Sequence, residues 1–77
     1  MKVLNYRIML RKEPEGGYTV IVPSLPGCVT FGGTIDEGVR MAKEAIGVYL
    51  ESLKARKEKI PVEENVFETT VAVRSNA

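Results

Sequence analysis

Seventy-seven residues, 44% hydrophobic and 27% charged, describe a single ordinary small domain over 1–77, without room for a catalytic domain plus a second module. Eleven Lys and Arg against ten Asp and Glu leave a net charge of +1, which offers no global attraction for nucleic acid or an anionic membrane. With no histidine, one cysteine and no apolar run near the roughly 20 residues of a membrane span, most metal, thiol-relay, disulfide and transmembrane roles fall away.

The N-terminus does not read as a signal peptide, because Asn5, Tyr6 and Arg7 interrupt any apolar region, so a soluble, cytoplasmic protein is expected. Over residues 3–11, Tyr6, Ile8 and Leu10 alternate with Arg7, Met9 and Arg11, a period of two that predicts a first strand. Pro14, Gly16 and Gly17 form a hairpin connection to a β-branched and aromatic run over 18–22, the second, antiparallel strand. Pro23 and Pro26 cannot donate to a ladder, so Pro23-Ser24-Leu25-Pro26-Gly27 is a bend whose only large apolar side chain is Leu25. A short third strand over 28–31 ends at Gly32 and Gly33.

Thr34-Ile35-Asp36-Glu37 fits the capping box of a helix that should run to about Lys57, with acids at its positive end and Lys54, Arg56, Lys57 and Lys59 near the other. Gly38 and Gly47 each cost it about 1 kcal/mol relative to alanine. After Pro61 and a polar link with Glu63, Glu64 and Asn65, the residues Phe67, Thr69, Val71 and Val73 alternate with Glu68, Thr70 and Ala72 and predict a fourth strand over 67–73. The resulting α+β pattern, β-β-β-α-β, implies a four-stranded mixed sheet, the last strand entering parallel to a neighbour, with one helix across one face. A compact chain of this size exposes about 4,700 Å².

Ile35, Val39, Ala42, Ile46, Tyr49 and Leu53 form the helix stripe expected to lie on the sheet. A second series through Met41, Ala45 and Val48 widens the apolar surface to roughly 200° of the helix. It either lines a broad core edge or forms an interface. With one sheet face also uncovered, self-association through Met41, Ala45 and Val48 is the expectation.

Catalytic chemistry has little to work with. Cys28 has no histidine to activate it and reads as a small buried hydrophobe. Glu68 is the acid placed on a strand, and the remaining acids fall on turns, the link or the helix, which does not build a metal-dependent nuclease site. The glycine pairs do not fit GxxxxGK[ST] or GxGxxG, and the basic run over 54–59 is a helix C-terminus. No enzyme, no cofactor and no metal are expected; an interaction domain is.

The stretch Glu15-Gly16-Gly17-Tyr18 through Pro23-Ser24-Leu25-Pro26-Gly27-Cys28 to Gly32-Gly33-Thr34-Ile35-Asp36-Glu37 resembles the signature of HicB-like antitoxins. Ser24 stands where that family often has an acid, and Gly33 where it often has Asp. The resemblance implies a partial ribonuclease H-like domain without that enzyme's carboxylates. It also implies a type II antitoxin that binds and occludes a small HicA-type mRNA-cleaving toxin, and a dimer or higher homo-oligomer. Longer members append a DNA-binding module; a chain stopping at Ala77 is expected to lack it, so direct DNA binding is not expected. The expected toxin-facing surface is Tyr18, Pro23, Ser24, Leu25 and Pro26; Leu25 either plugs the core beneath the bend or projects as an anchor, and the anchor is favoured because a bend after a proline-ended strand normally lies at the surface. The alternative is a stand-alone oligomeric binding or regulatory module of the same fold with no toxin.

Overall fold

A computed structural model describes residues 2–76. In chain order it contains β1 (Met9–Lys12), β2 (Tyr18–Ile21), β3 (Val29–Gly32) and α1 (Ile35–Ala55). The strands form an antiparallel sheet in the order β1-β2-β3. Leu10 pairs with Val20 and Val20 with Thr30, while Met9 pairs with Ile21 and Ile21 with Val29. Alternation sends the first row towards the helix and the second to the open face. Leu10 and Val20 accordingly approach Gly38 of α1, whereas Met9, Val29 and Phe31 remain exposed.

Two glycines are there for space. A Cβ on Gly32 would lie 2.3 Å from the Gly38 nitrogen, so the end of β3 and the first turn of α1 meet backbone to backbone. In the β1–β2 turn, Gly17 has φ of 79°, and the Phe31 ring lies where its side chain would be, 2.3 Å from Cζ.

The helix begins at the expected Thr34 cap, but the Glu37 carboxylate reaches back one residue past it. The Glu37 N–H donates to Thr34 Oγ1 at 3.1 Å, and the Gly33 N–H donates to the Glu37 carboxylate at 2.6 Å. It ends at Ala55, two residues short of the expected Lys57. The Lys57 N–H bonds the Lys54 carbonyl and the Glu58 N–H bonds the Leu53 carbonyl, with Lys57 at φ of 56°. That is a Schellman closure made without its usual glycine.

A buried hydrophobic cluster lies beneath the 22–28 bend. Val22, Leu25 and Cys28 are buried together, with Tyr6, Ile8, Ala45, Ile46, Tyr49 and Leu50 against them.

Two expectations about the sheet are corrected. The first strand, predicted over 3–11, is confined to Met9–Lys12, because the chain before it bonds to the link after the helix: the Tyr6 hydroxyl donates to the Pro61 carbonyl and the Arg7 N–H to the Glu63 carboxylate. The fourth strand over 67–73 is not part of the sheet, which among the described residues is three-stranded and antiparallel rather than four-stranded and mixed. Asn65, at φ of 58°, bends the chain, and every residue over 66–76 is exposed, Phe67 to 91%. An edge strand gains ladder bonds and burial only where it docks. The accessible surface is 6436 Å², against about 4,700 Å² for a compact chain. The radius of gyration, 14.9 Å, likewise exceeds the roughly 11.5 Å of the globular scaling.

Candidate functional site

The bend over 22–28 is held by its own backbone bonds. The Leu25 N–H donates to the Val22 carbonyl at 3.1 Å, the Cys28 N–H to the Leu25 carbonyl at 2.9 Å, and the Val22 N–H to the Cys28 carbonyl at 3.1 Å. Gly27, at φ of 82°, makes the reversal that a side chain would disfavour. Three backbone bonds thus close the loop on itself.

Side chains then fasten it to its surroundings. The Tyr49 hydroxyl, from α1, donates to the Pro26 carbonyl at 2.8 Å. The Ser24 hydroxyl donates to Glu63 Oε2 at 2.7 Å. The same carboxylate accepts the Arg7 backbone N–H at 3.2 Å from each oxygen and the Arg7 Nε at 2.9 Å. Glu63 therefore gathers the approach to β1, the bend and the post-helix link on one largely buried group.

The electrostatics follow from that geometry. Burial of the Glu63 carboxylate acts to raise its pKa, but the Ser24 hydroxyl, the Arg7 side-chain and backbone donors and the Arg7 charge together outweigh it and hold the group below its ordinary value. Burial raises the Tyr6 phenol, with a smaller contribution from the Glu63 charge. Glu13, in the β1–β2 turn, is lowered by the hydrogen bond from Thr19, then by Arg11. Burial raises the Cys28 thiol, which keeps it protonated and poorly nucleophilic.

The expected contact residues separate into three places. Pro23 and Pro26 stand exposed on the knuckle of the bend, with Ser24 half-buried between them. Leu25 is 0% exposed, which corrects the expected anchor: it plugs the core beneath the bend, packed with Val22 and Cys28, and does not project. Tyr18, half-buried, lies at the far end of β2, opposite Lys12 and Gly32. Met41 and Ala45 are half-buried and Val48 is 68% exposed. These three line a groove between α1 and β3 that also includes Gly27, Cys28 and Tyr49. The bend and the second helix series are thus neighbours, joined through Gly27 and Tyr49.

Glu63 is the organising residue that sequence reasoning missed. It read as one acid of a polar link, and its partners Arg7 and Ser24 lie 56 and 39 positions away in the chain. No local pattern marks such a residue. Among the described residues, no group of three or more Cys, Asp or Glu is placed to hold a metal, and no helix is long and apolar enough to cross a membrane.

The chain is 47% identical over 68 residues to the UPF0150 protein Ta0767 of Thermoplasma acidophilum, covering 88% of this chain and 97% of that protein. It is 40% identical over 63 residues to the UPF0150 protein ssr1765 of Synechocystis, covering 82% of this chain and 80% of that protein. Similarity extends to Antitoxin HicB 1 of Photorhabdus laumondii, 36% identical over 62 residues, which is 80% of this chain but 40% of that longer protein. The model of the HicB-like antitoxin of bacterial toxin–antitoxin systems matches residues 6–76, and the chain belongs to that family.

Proposed function

We propose that this chain is a non-enzymatic cytoplasmic antitoxin, a single domain over 1–77 that binds and occludes a HicA-type mRNA-cleaving toxin without cofactor, metal or DNA contact. Family membership supports an antitoxin role and a toxin partner. The observation that carries the choice of surface is the knuckle: Pro23 and Pro26 are exposed on a loop pinned below by Leu25 and at its sides by Tyr49 and Glu63. A surface held that rigidly loses little conformational entropy on docking. Ser24 and Tyr18 extend it, and Leu25 acts on it from beneath.

Met41, Ala45 and Val48 serve self-association in this reading, covering apolar surface next to the knuckle. Residues 67–73, joined to a sheet edge, supply the fourth strand of a partial ribonuclease H-like β-β-β-α-β sheet. The second reading, a stand-alone oligomeric binding or regulatory module, draws support from the relatives whose names, such as UPF0150, mention no toxin.

Capture from the native host separates the two. Tagged chain should retain a small basic protein that cleaves mRNA when freed and is silent when bound. Substituting Pro23→Asp and Pro26→Asp together should release it while the fold persists. Recovery of the chain with no such protein would favour the second reading.

A further inference from the structure

The segment leading into β1 and the adjoining side of α1 enclose an apolar groove whose lining includes Leu4, Ile8, Val39, Ile46 and Gly47. Val39 belongs to the stripe that should lie on the sheet, yet it is 40% exposed. The sheet stops at β1, one strand short of covering that side of the helix. Gly47 adds an independent sign. A glycine in the middle of a helix weakens it, and a Cβ built there meets nothing within 4 Å. The groove has room for a large side chain against the helix backbone.

The piece that fits is residues 66–76. They are exposed and lie in no helix or sheet strand, and as a strand they would place Phe67, Thr69, Val71 and Val73 on one face by alternation. We infer that this arm docks as a strand on the free β1 edge of a second copy, its apolar face in the groove beside Gly47, while the second copy returns its own arm. A second copy is the occupant because the arm's root is fixed: Glu63 is tied to Arg7 and Ser24 at the start of the chain's own β1 edge, and Asn65 bends the chain beyond it. The surface is sufficient. The chain exposes about 1,700 Å² more than a compact chain of its size, and a standard interface buries about 800 Å² per partner. The exchange goes beyond the antitoxin reading and stands without it.

Light scattering and amide hydrogen exchange on the full chain test it. At micromolar concentration the mass should be at least that of a dimer, with the amides of 67–73 protected at least about tenfold over free peptide. The double substitution Phe67→Asp/Val71→Asp should at least halve the mass and abolish that protection with unchanged helix content. Gly47→Leu, which fills the groove while improving helix propensity, should do the same. A monomeric wild type, with the arm either protected on its own β1 edge or unprotected, overturns the inference. So does an oligomer whose arm amides exchange freely, or one that survives both variants.

Discussion

The body of this protein and its C-terminal arm obey the same strand rules with opposite outcomes. Residues 18–22 and 67–73 are both rich in β-favouring side chains, yet the first lie in a paired strand and its continuation, and the second are exposed throughout. The difference is not propensity. Strand β2 has a hairpin neighbour on each side, close in sequence, and a helix above it. The arm follows a clamp at Glu63 and a bend at Asn65; its Glu68 lies 3.5 Å from the Arg7 guanidinium, but among the described residues it pairs with no strand of the sheet. Alternation specifies which face of a strand is apolar; pairing must come from elsewhere.

The contrast can be broken most severely at Leu25. If the body is held from beneath the bend, Leu25→Ala should cost about 2–5 kcal/mol in chemical denaturation. A midpoint near that of the wild type would show that the bend carries little of the body's stability. Gly32→Ala should come next, at about 3 kcal/mol, because the added methyl meets the backbone of Gly38 and neither side can move away cheaply. Its thermal midpoint should fall clearly below that of Gly16→Ala, where an added Cβ meets nothing within 4 Å and the cost comes from positive φ alone.

Glu63 joins the two regions, and its contribution depends on pH. The folded pKa lies below the ordinary 4.5, so the stabilisation is complete above that ordinary value and is lost as pH falls through the lowered folded value. Glu63→Gln should cost about 1–2 kcal/mol at neutral pH. It should also flatten the acid limb of a stability–pH curve, and an unchanged acid limb would exclude Glu63 as its source. The smallest effect belongs to the arm. Phe67→Ser, measured where copies are dilute enough to be apart, should leave the body's stability within about 0.5 kcal/mol. A larger loss would mean that the arm packs on its own body.

What could be read from the sequence divides along the same line. The Thr34 cap and the first hairpin were legible because their partners lie within four residues or one turn. The order β-β-β-α followed from them. The depth of Leu25 was not legible: two prolines specify a bend, but whether its apolar residue faces in or out depends on Tyr6, Ile8 and Ile46 arriving from other elements. The bonds of Glu63 were hidden by the same distance. The alternation over 67–73 was plain, but no pattern within a single chain records that a sheet edge lies elsewhere. Pro23 and Pro26 emerged as exposed, while Tyr18, grouped with them, lies a strand's length away.

The clamp at Glu63 has a consequence for how steeply such chains would assemble. A tail hanging from a loose linker explores a large volume, and each docking event is separate. Here the root is fixed by donors from Arg7 and Ser24, so the first arm to dock in a reciprocal exchange brings the second within reach of its groove. The second event then proceeds at an effective concentration of about millimolar rather than that of the bulk solution. Two weak contacts act as one strong one, and weakening the clamp would lower that avidity without altering either docking surface.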